Sequence, residues 1–416
     1  MMPFIAQERD PVGPSGRVTG AVALCVDHAC RASSRWAPLV TCHAPPRVFT
    51  SQRAVAWSDA VRLTCADHRE DPGGWARALR ISREAVDLYL ASDVIDLHID
   101  SFIWTRVLGY DLTKRHGPGP TGARFLSQVD LPRIREARIT GGVWSITTNP
   151  LRSPRKRAAV FAHNLARLRA IFARCPEDVA LVRSRAEYDA AARTDRHAAF
   201  IGIQGGNALD HAALALIPDD LVVRSTLVHL STSAIGTTSS PLARLSKHGG
   251  LTAVGKDYLR RLNERRIFVD LAHINREGFF DAVAIQDKTQ PLMVSHTGVA
   301  GVRPHWRNVD DAQLRAVAAT GGVIGVIYEQ SFLAPSFGCT AAAVVDHLAH
   351  IIQVAGEDAP ALGSDWDGLI VPPRDLRTCL ELPRLVQIML ERAFSPTAIQ
   401  KVLGGNFLRA LAQLRP

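Results

Sequence analysis

The sequence lacks the features that would mark a membrane protein or a nucleotide-binding protein. No apolar run in its 416 residues approaches the about 20 residues that a membrane-spanning helix needs, so no membrane span is expected. The run AVALCV at 21–26 is too short for the core of a signal peptide and is followed by Asp27 and His28, so we expect a cytoplasmic protein. No GxGxxG motif follows the first predicted strand and no phosphate-loop pattern is present, so nucleotide binding is not expected.

Aromatic residues and paired cysteines are also scarce. Aromatic residues make up 6% of the chain, and its net charge of +9 is spread out, with RSPRKR at 152–157 as the one tight basic run. Nucleic-acid binding needs a basic face with stacking aromatic side chains, so we interpret this run as a solvated loop and expect no nucleic-acid partner. The seven cysteines have no metal-binding spacing, and an odd, scattered set is typical of reduced thiols.

The first 80 residues differ in character from the rest of the chain. They contain seven prolines and show no sustained periodicity. We therefore predict a poorly ordered N-terminal extension over 1–80 and a folded domain over 81–416. The folded part begins with ISREAVDLYLAS at 81–92, where Ser82 is placed to cap a helix.

From residue 94 onward, short apolar runs rich in β-branched residues alternate with amphipathic helical stretches. The runs are 94–100, 141–148, 199–204, 225–230, 267–273, 291–296, 322–328 and 360–365. Eight buried strands with helices between them favour the α/β class and a closed (β/α)8 barrel of the TIM type. A doubly wound open sheet is the alternative at this stage.

Six of these runs end in side chains that can bind a metal or move a proton. The residues are His98, Asp100, Gln204, His229, His273, His296 and Asp365. In a parallel barrel the carboxyl ends of the strands converge on one mouth, which is where such enzymes carry their active sites. His98 and Asp100 are two apart on one strand and so point to the same face, which is a common arrangement of zinc ligands. His273 and His296 end consecutive strands, so we expect at least one bound metal ion.

Three further residues have roles that fit beside a metal. Asp365 in GSDWDG could take a proton from metal-activated water and pass it to a leaving amine. His229 could donate a hydrogen bond to an oxyanion, and Arg307 could hold a substrate carboxylate by a bidentate contact. Each residue has a structural alternative: Asp365 could cap the following loop, His229 could be a core histidine, and Arg307 could be a surface arginine.

The same strand ends lie in longer motifs that resemble one family. Matching stretches include DLHID, LVHLS, PLMVSHTG, RPHWRNVDDAQLRAVAATGGVIGV and VVDHLAHIIQVAGEDAPALGSDWDG. In this order, over about three quarters of the chain, they resemble the membrane (renal) dipeptidase family of zinc metallopeptidases, peptidase family M19. The resemblance implies a metallo-dependent hydrolase-like barrel, one or two Zn²⁺ ions, a small dipeptide-like substrate and a homodimer.

The resemblance also assigns roles to individual residues. His98 and Asp100 match ligands of a first zinc ion, and His273 and His296 match ligands of a second. His229 matches a histidine that contacts substrate, Arg307 the arginine that binds its carboxylate, and Asp365 the acidic proton-transfer residue.

Gln204 departs from the family pattern, because a glutamate that bridges the two zinc ions is expected at its position. A glutamine offers one neutral oxygen, and its NH₂ group repels a cation. The main hypothesis is therefore a metal-dependent hydrolase that cleaves a dipeptide or a related small amide by metal-activated water. The alternatives are a catalytically silent barrel that binds a metal or a peptide, and a one-metal amidohydrolase that acts on a different C–N bond.

Overall fold

The chain folds into a closed parallel β-barrel surrounded by helices. The computed structural model describes residues 60–147, 152–209, 220–241, 243 and 249–416. The strands are β1 Ile95–Ile99, β2 Gly141–Thr147, β3 Val179–Leu181, β4 His197–Gln204, β5 Val222–Thr226, β6 Phe268–Asp270, β7 Met293–Thr297, β8 Val323–Val326 and β9 Pro360–Leu362. They pair in the order β2-β1-β9-β8-β7-β6-β5-β4-β3, and β2 also pairs with β4.

The pairing of β2 with β4 closes the barrel and confirms the predicted fold class. It runs without interruption from Gly141 opposite Ala198 to Thr147 opposite Gln204, so the sheet is not the open alternative. Each of the eight predicted runs overlaps one barrel strand. Strand β5 begins earlier than predicted, because Arg224 lies inside it and breaks the apolar pattern.

Strand β3 was not predicted and is not part of the barrel wall. It pairs with His197–Ala199 at the start of β4, whereas β5 pairs with Ile201–Ile203 further along. A strand of three residues carries too little periodicity to be recognised in a sequence.

The helices cover the outside of the barrel and extend beyond it at both ends of the folded chain. They are α1 Pro72–Leu79, α2 Arg83–Leu90, α3 Phe102–Leu108, α4 Leu131–Glu136, α5 Pro154–Ala173, α6 Arg185–Arg193, α7 Ala253–Glu264, α8 Arg276–Ile285, α9 Asp311–Ala318, α10 Gln330–Leu333, α11 Ala342–Ala355, α12 Pro383–Glu391, α13 Pro396–Gln400 and α14 Asn406–Leu414. The Ser82 side chain accepts a hydrogen bond from the Ala85 backbone, which confirms its predicted role as a cap. Within the described ranges, no helix has both the length and the hydropathy that crossing a bilayer requires.

Residues 60–80 correct the predicted boundary of the N-terminal extension. Helix α1 lies in this stretch, and its Trp75 is buried, stacked on His68 at 4.1 Å between ring centroids and edge-on to Tyr89 at 5.6 Å. The prediction was wrong here because one large aromatic anchor among prolines and glycines leaves little periodic signal. Residues 1–59 lie outside the described residues, and for them the extension remains a prediction.

Alternate residues of the barrel strands form layers that lead up to the mouth. Val143, Phe200 and Phe268 belong to an apolar cluster in which Phe407 of α14 packs against Phe200. Two residues further along their strands lie Ser145, Gly202 and Asp270, and two further again lie Thr147 and Gln204. Because side chains two apart share a face, the same faces turn from apolar to polar toward the strand ends.

Candidate active site

His98 is the centre of a group of buried polar side chains at the mouth of the barrel. Its Nε2 atom lies 3.5 Å from Asp100 Oδ2 and 3.5 Å from Asp365 Oδ1, and its ring centroid is 3.9 Å from that of His296. One ligand atom from each of His98, His296 and Asp365 lies within 4.8 Å of the other two. We call His98, Asp100 and Asp365 the carboxylate side of the site.

Two buried atoms on the carboxylate side show that these residues fit a metal ion. Among the described residues, neither His98 Nε2 nor Asp365 Oδ1 has a hydrogen-bond partner. A buried polar atom without a partner is costly, and these two lie in one group with His296 at a spacing that suits metal ligands. Imidazole nitrogens and carboxylate oxygens are atom types that bind zinc in proteins.

Gln204 and His273 form the other side of the site. Gln204 Nε2 lies 3.4 Å from His273 Nε2, and His273 Nε2 lies 2.9 Å from His296 Nε2. The Gln204 Oε1 atom accepts a hydrogen bond of 2.8 Å from the Thr147 hydroxyl, which is also 2.8 Å from Asp100 Oδ1. We call Gln204 and His273 the neutral side, and His296 lies between the two sides.

The backbone at the strand ends is held in an uncommon conformation. His273 has φ of 69° and Asp365 has φ of 64°, both in the left-handed region although neither is a glycine. Such residues cost of order 1 kcal/mol and are concentrated at functional sites. Gly205, directly after Gln204, has φ of 95°, which explains the glycine that follows the amide at the end of β4.

Burial sets the protonation of the site. It holds the pKa of His273 and His296 well below the usual range, with Arg307 and His98 as further causes. Both rings are therefore neutral at neutral pH, which is the form that binds a metal. Burial, and next the charge of Asp100, raise the pKa of Asp365 well above its usual value, so this carboxyl is suited to holding a proton.

Arg307 and His229 lie beside these side chains. Arg307 is only 3% exposed and donates from Nη2 to the His296 carbonyl at 2.8 Å, so it is not a surface arginine. Burial lowers its pKa to about 10, which leaves it cationic at neutral pH. His229 is half-buried and edge-on to His273, with ring centroids 4.6 Å apart, and burial lowers its pKa to about 4.

A buried ion pair beneath the site was not predicted. Arg224 donates from Nη1 to Asp270 Oδ2 at 2.7 Å, and both side chains are fully buried. Arg224 also donates to the hydroxyls of Ser145 and Ser295. Those hydroxyls lie 3.3 Å from His98 Nδ1 and 2.8 Å from His296 Nδ1, so one cation supports both imidazoles.

The sequence contained a signal for this ion pair. Arg224 is a single charge within the apolar strand VVRST, and Asp270 is a single charge within IFVDLA. Charged side chains are almost never fully buried unless they are paired, so two such strands indicate a pair inside the barrel.

Two further buried carboxylates fix the loops around the site. Asp96 Oδ1 accepts hydrogen bonds from the backbone of His98 and Ser364, which ties β1 to the end of β9. Asp367 accepts from the Ser101 hydroxyl and from the Gln128 backbone. The second aspartate of GSDWDG is therefore a structural residue, whereas Asp365 makes no such loop-capping contact among the described residues.

Comparisons with known proteins identify the family of the chain. A family model described as membrane dipeptidase (peptidase family M19) matches residues 82–415. An uncharacterized protein in the pqqA 5′ region of Klebsiella pneumoniae is 34% identical over 166 residues, which are 39% of this chain and 60% of that protein. The chain thus spans less than two thirds of the length of this relative.

Solved structures share the fold at low sequence identity. A metallo peptidase from Rhodobacter sphaeroides, liganded with a phosphinate mimic of the dipeptide L-Ala-D-Ala, matches with a TM-score of 0.67 and 22% identity over 78% of this chain and 99% of that one. The probable dipeptidase PvdM from Pseudomonas aeruginosa matches with a TM-score of 0.71 and 18% identity over 82% of this chain and 99% of that one. Since the family model covers most of the sequence, the protein belongs to the membrane dipeptidase family, peptidase family M19.

Proposed function

We propose that the protein is a zinc-dependent hydrolase that cleaves a dipeptide with a free C-terminal carboxylate. The observation that carries the proposal is the buried group of His98, His296 and Asp365 at the barrel mouth, with unpartnered atoms facing one another beside a buried arginine. Membership of the dipeptidase family supports it. So does the dipeptide mimic bound to the Rhodobacter sphaeroides peptidase of the same fold.

Arg307 is the residue that binds the substrate carboxylate. A guanidinium that is buried and still cationic attracts an anion strongly, because water screens the charge poorly there. The bond from its Nη2 atom to the His296 carbonyl fixes the orientation of the fork. The free carboxylate of a dipeptide would thus be held next to the histidines.

Asp365 and His229 act on the scissile amide. Zinc, when bound at His98, His296 and Asp365, would act as a Lewis acid that activates water and polarises the carbonyl. One oxygen of the Asp365 carboxylate would hold the zinc ion, and its other oxygen takes a proton from the attacking water and gives it to the leaving amine. The half-buried imidazole of His229 donates a hydrogen bond to the carbonyl oxygen as negative charge develops there.

Gln204 favours one alternative, a hydrolase that acts on a different C–N bond. Its amide binds Thr147 and lies against His273, so this side of the site differs from one that carries a bridging carboxylate. Acylamino acids, lactams and hydantoins also contain an amide-type C–N bond that water can hydrolyse. They belong in the same substrate screen as dipeptides.

The test is hydrolysis by the zinc-loaded full chain of a dipeptide panel that includes L-Ala-D-Ala and L-Ala-L-Ala. We expect Asp365→Asn to lower kcat by roughly 10²–10⁴-fold, the usual contribution of a general acid or base. Asp346→Asn is the matched control, because Asp346 pairs with Arg392 at the protein surface. A folded, zinc-loaded wild type that cleaves no dipeptide refutes the proposal, and full turnover by Asp365→Asn refutes the proton-transfer role.

A further inference from the structure

We propose that the site binds one metal ion rather than two, at His98, His296 and Asp365, and that Gln204 and His273 form a hydrogen-bonded pair in place of a second ion. The inference rests on the proposed function, because it concerns the same metal site. The inference goes beyond the proposed function because it sets the number of metal ions per chain and excludes His273 from the ligands.

The negative charge of the site lies on one side only. Asp100 Oδ2 and Asp365 Oδ1 are both 3.5 Å from His98 Nε2. No carboxylate among the described residues forms a hydrogen bond or ion pair with His273. A carboxyl that binds a metal gives up its proton, so Asp100 and Asp365 together offset the charge of one bound dication. A second dication would have no anion of its own among the described residues that contact it.

The Gln204 amide occupies the nitrogen that a second ion would need. Its Oε1 atom is turned toward the Thr147 hydroxyl, at 2.8 Å, and its NH₂ group faces His273 Nε2 at 3.4 Å. An NH₂ group only donates hydrogen bonds, so it faces the Nε2 atom of His273 as a donor. The same nitrogen lies 2.9 Å from His296 Nε2, whereas His273 Nδ1 has no partner among the described residues. An ion bound at His273 Nε2 would have to displace the amide.

Thr147 explains why a glutamine removes the need for a second ion. Its hydroxyl lies 2.8 Å from both Asp100 Oδ1 and Gln204 Oε1, but its single hydrogen serves one of them at a time. A glutamate at 204 would bring a second negative oxygen to this hydroxyl beside Asp100, and the repulsion would favour a second cation. The neutral amide produces no such repulsion.

The first test is zinc stoichiometry on the full chain, stripped with a chelator, reloaded with excess ZnCl₂ and desalted before elemental analysis. We expect close to one zinc per wild-type chain and close to two for Gln204→Glu. The control is Gln413→Glu, which adds the same charge at an exposed position of α14 and should leave one zinc. Two zinc ions in the wild type, or one in a folded Gln204→Glu variant, overturn the inference.

The second test locates the ion by isothermal titration with ZnCl₂. His296→Gln should weaken zinc binding by more than the roughly 10–100-fold that loss of an outer-shell partner costs. His273→Gln should retain one zinc with only a few-fold change. A His273→Gln variant that loses the ion, while circular dichroism shows it folded, overturns the assignment.

Neither test requires turnover. One zinc in an inactive protein supports the inference and refutes the proposed function. Two zinc ions in an active dipeptidase do the opposite, and no zinc at all overturns both.

Discussion

Replacement of Arg224 by methionine should destabilise the barrel and weaken metal binding together. The guanidinium is fully buried and is held by Asp270, Ser145 and Ser295. Methionine replaces the unbranched stem of the side chain but removes the charge and every donor. Asp270 is then left as a buried anion whose Oδ1 atom still accepts from the backbone of Ala272 and Ser295, while Oδ2 loses its cation.

The magnitude follows from the burial of both partners. Removing one member of a buried ion pair costs about 3–5 kcal/mol, because the other charge stays in a low dielectric without compensation. The two serine hydroxyls lose a donor as well, but they lie next to imidazole nitrogens that can rearrange toward them. We therefore expect a loss of about 3–5 kcal/mol in the free energy of unfolding.

The assay is urea denaturation of the metal-free protein, followed by zinc titration of the folded variants. The double variant Arg224→Met with Asp270→Leu removes both charges and should recover most of the stability, since buried pairs replaced by apolar residues are often neutral. Zinc affinity should stay low in the double variant, because His98 and His296 have lost their support. A single variant that costs less than about 1 kcal/mol would refute this account of the pair.

Three further outcomes are expected. His197 donates to the Ile139 carbonyl and accepts from Trp144, and burial lowers its pKa from 6.5 to about 4. Between pH 6.5 and pH 4 the unfolded chain therefore binds a proton at His197 that the folded chain does not bind. The free energy of unfolding falls by about 3 kcal/mol over this range, and His197→Gln should show a shallower dependence on pH in urea titrations. Arg307→Lys should raise KM for dipeptides at least tenfold with a smaller effect on kcat, because it loses the bidentate fork; an unchanged KM contradicts carboxylate binding. Gly202→Ala should destabilise the protein about as much as the loss of Arg224, because its Cβ would lie 2.5 Å from Arg224 Nη2; a stable variant in thermal unfolding would show that the guanidinium can move.

The sequence by itself predicted the barrel and the side chains that gather at its mouth. Periodic apolar runs predicted all eight barrel strands, and polar residues at their ends predicted which side chains meet at the mouth. This works because parallel strands place their carboxyl ends together, so position along the strand is enough to predict proximity. Arg307, in the loop after β7, was identified from its place after the run that ends at His296 rather than from periodicity.

Only the tertiary structure decided how these side chains contact one another. The pairing of Arg224 with Asp270 joins two strands 46 residues apart in sequence, and no local pattern specifies it. The orientation of the Gln204 amide depends on Thr147 from β2 and His273 after β6. Helix α1 is ordered because Trp75 packs on His68 and Tyr89. Periodicity records which face of an element is buried, whereas partners and charge balance arise from contacts between distant elements, which local sequence does not record.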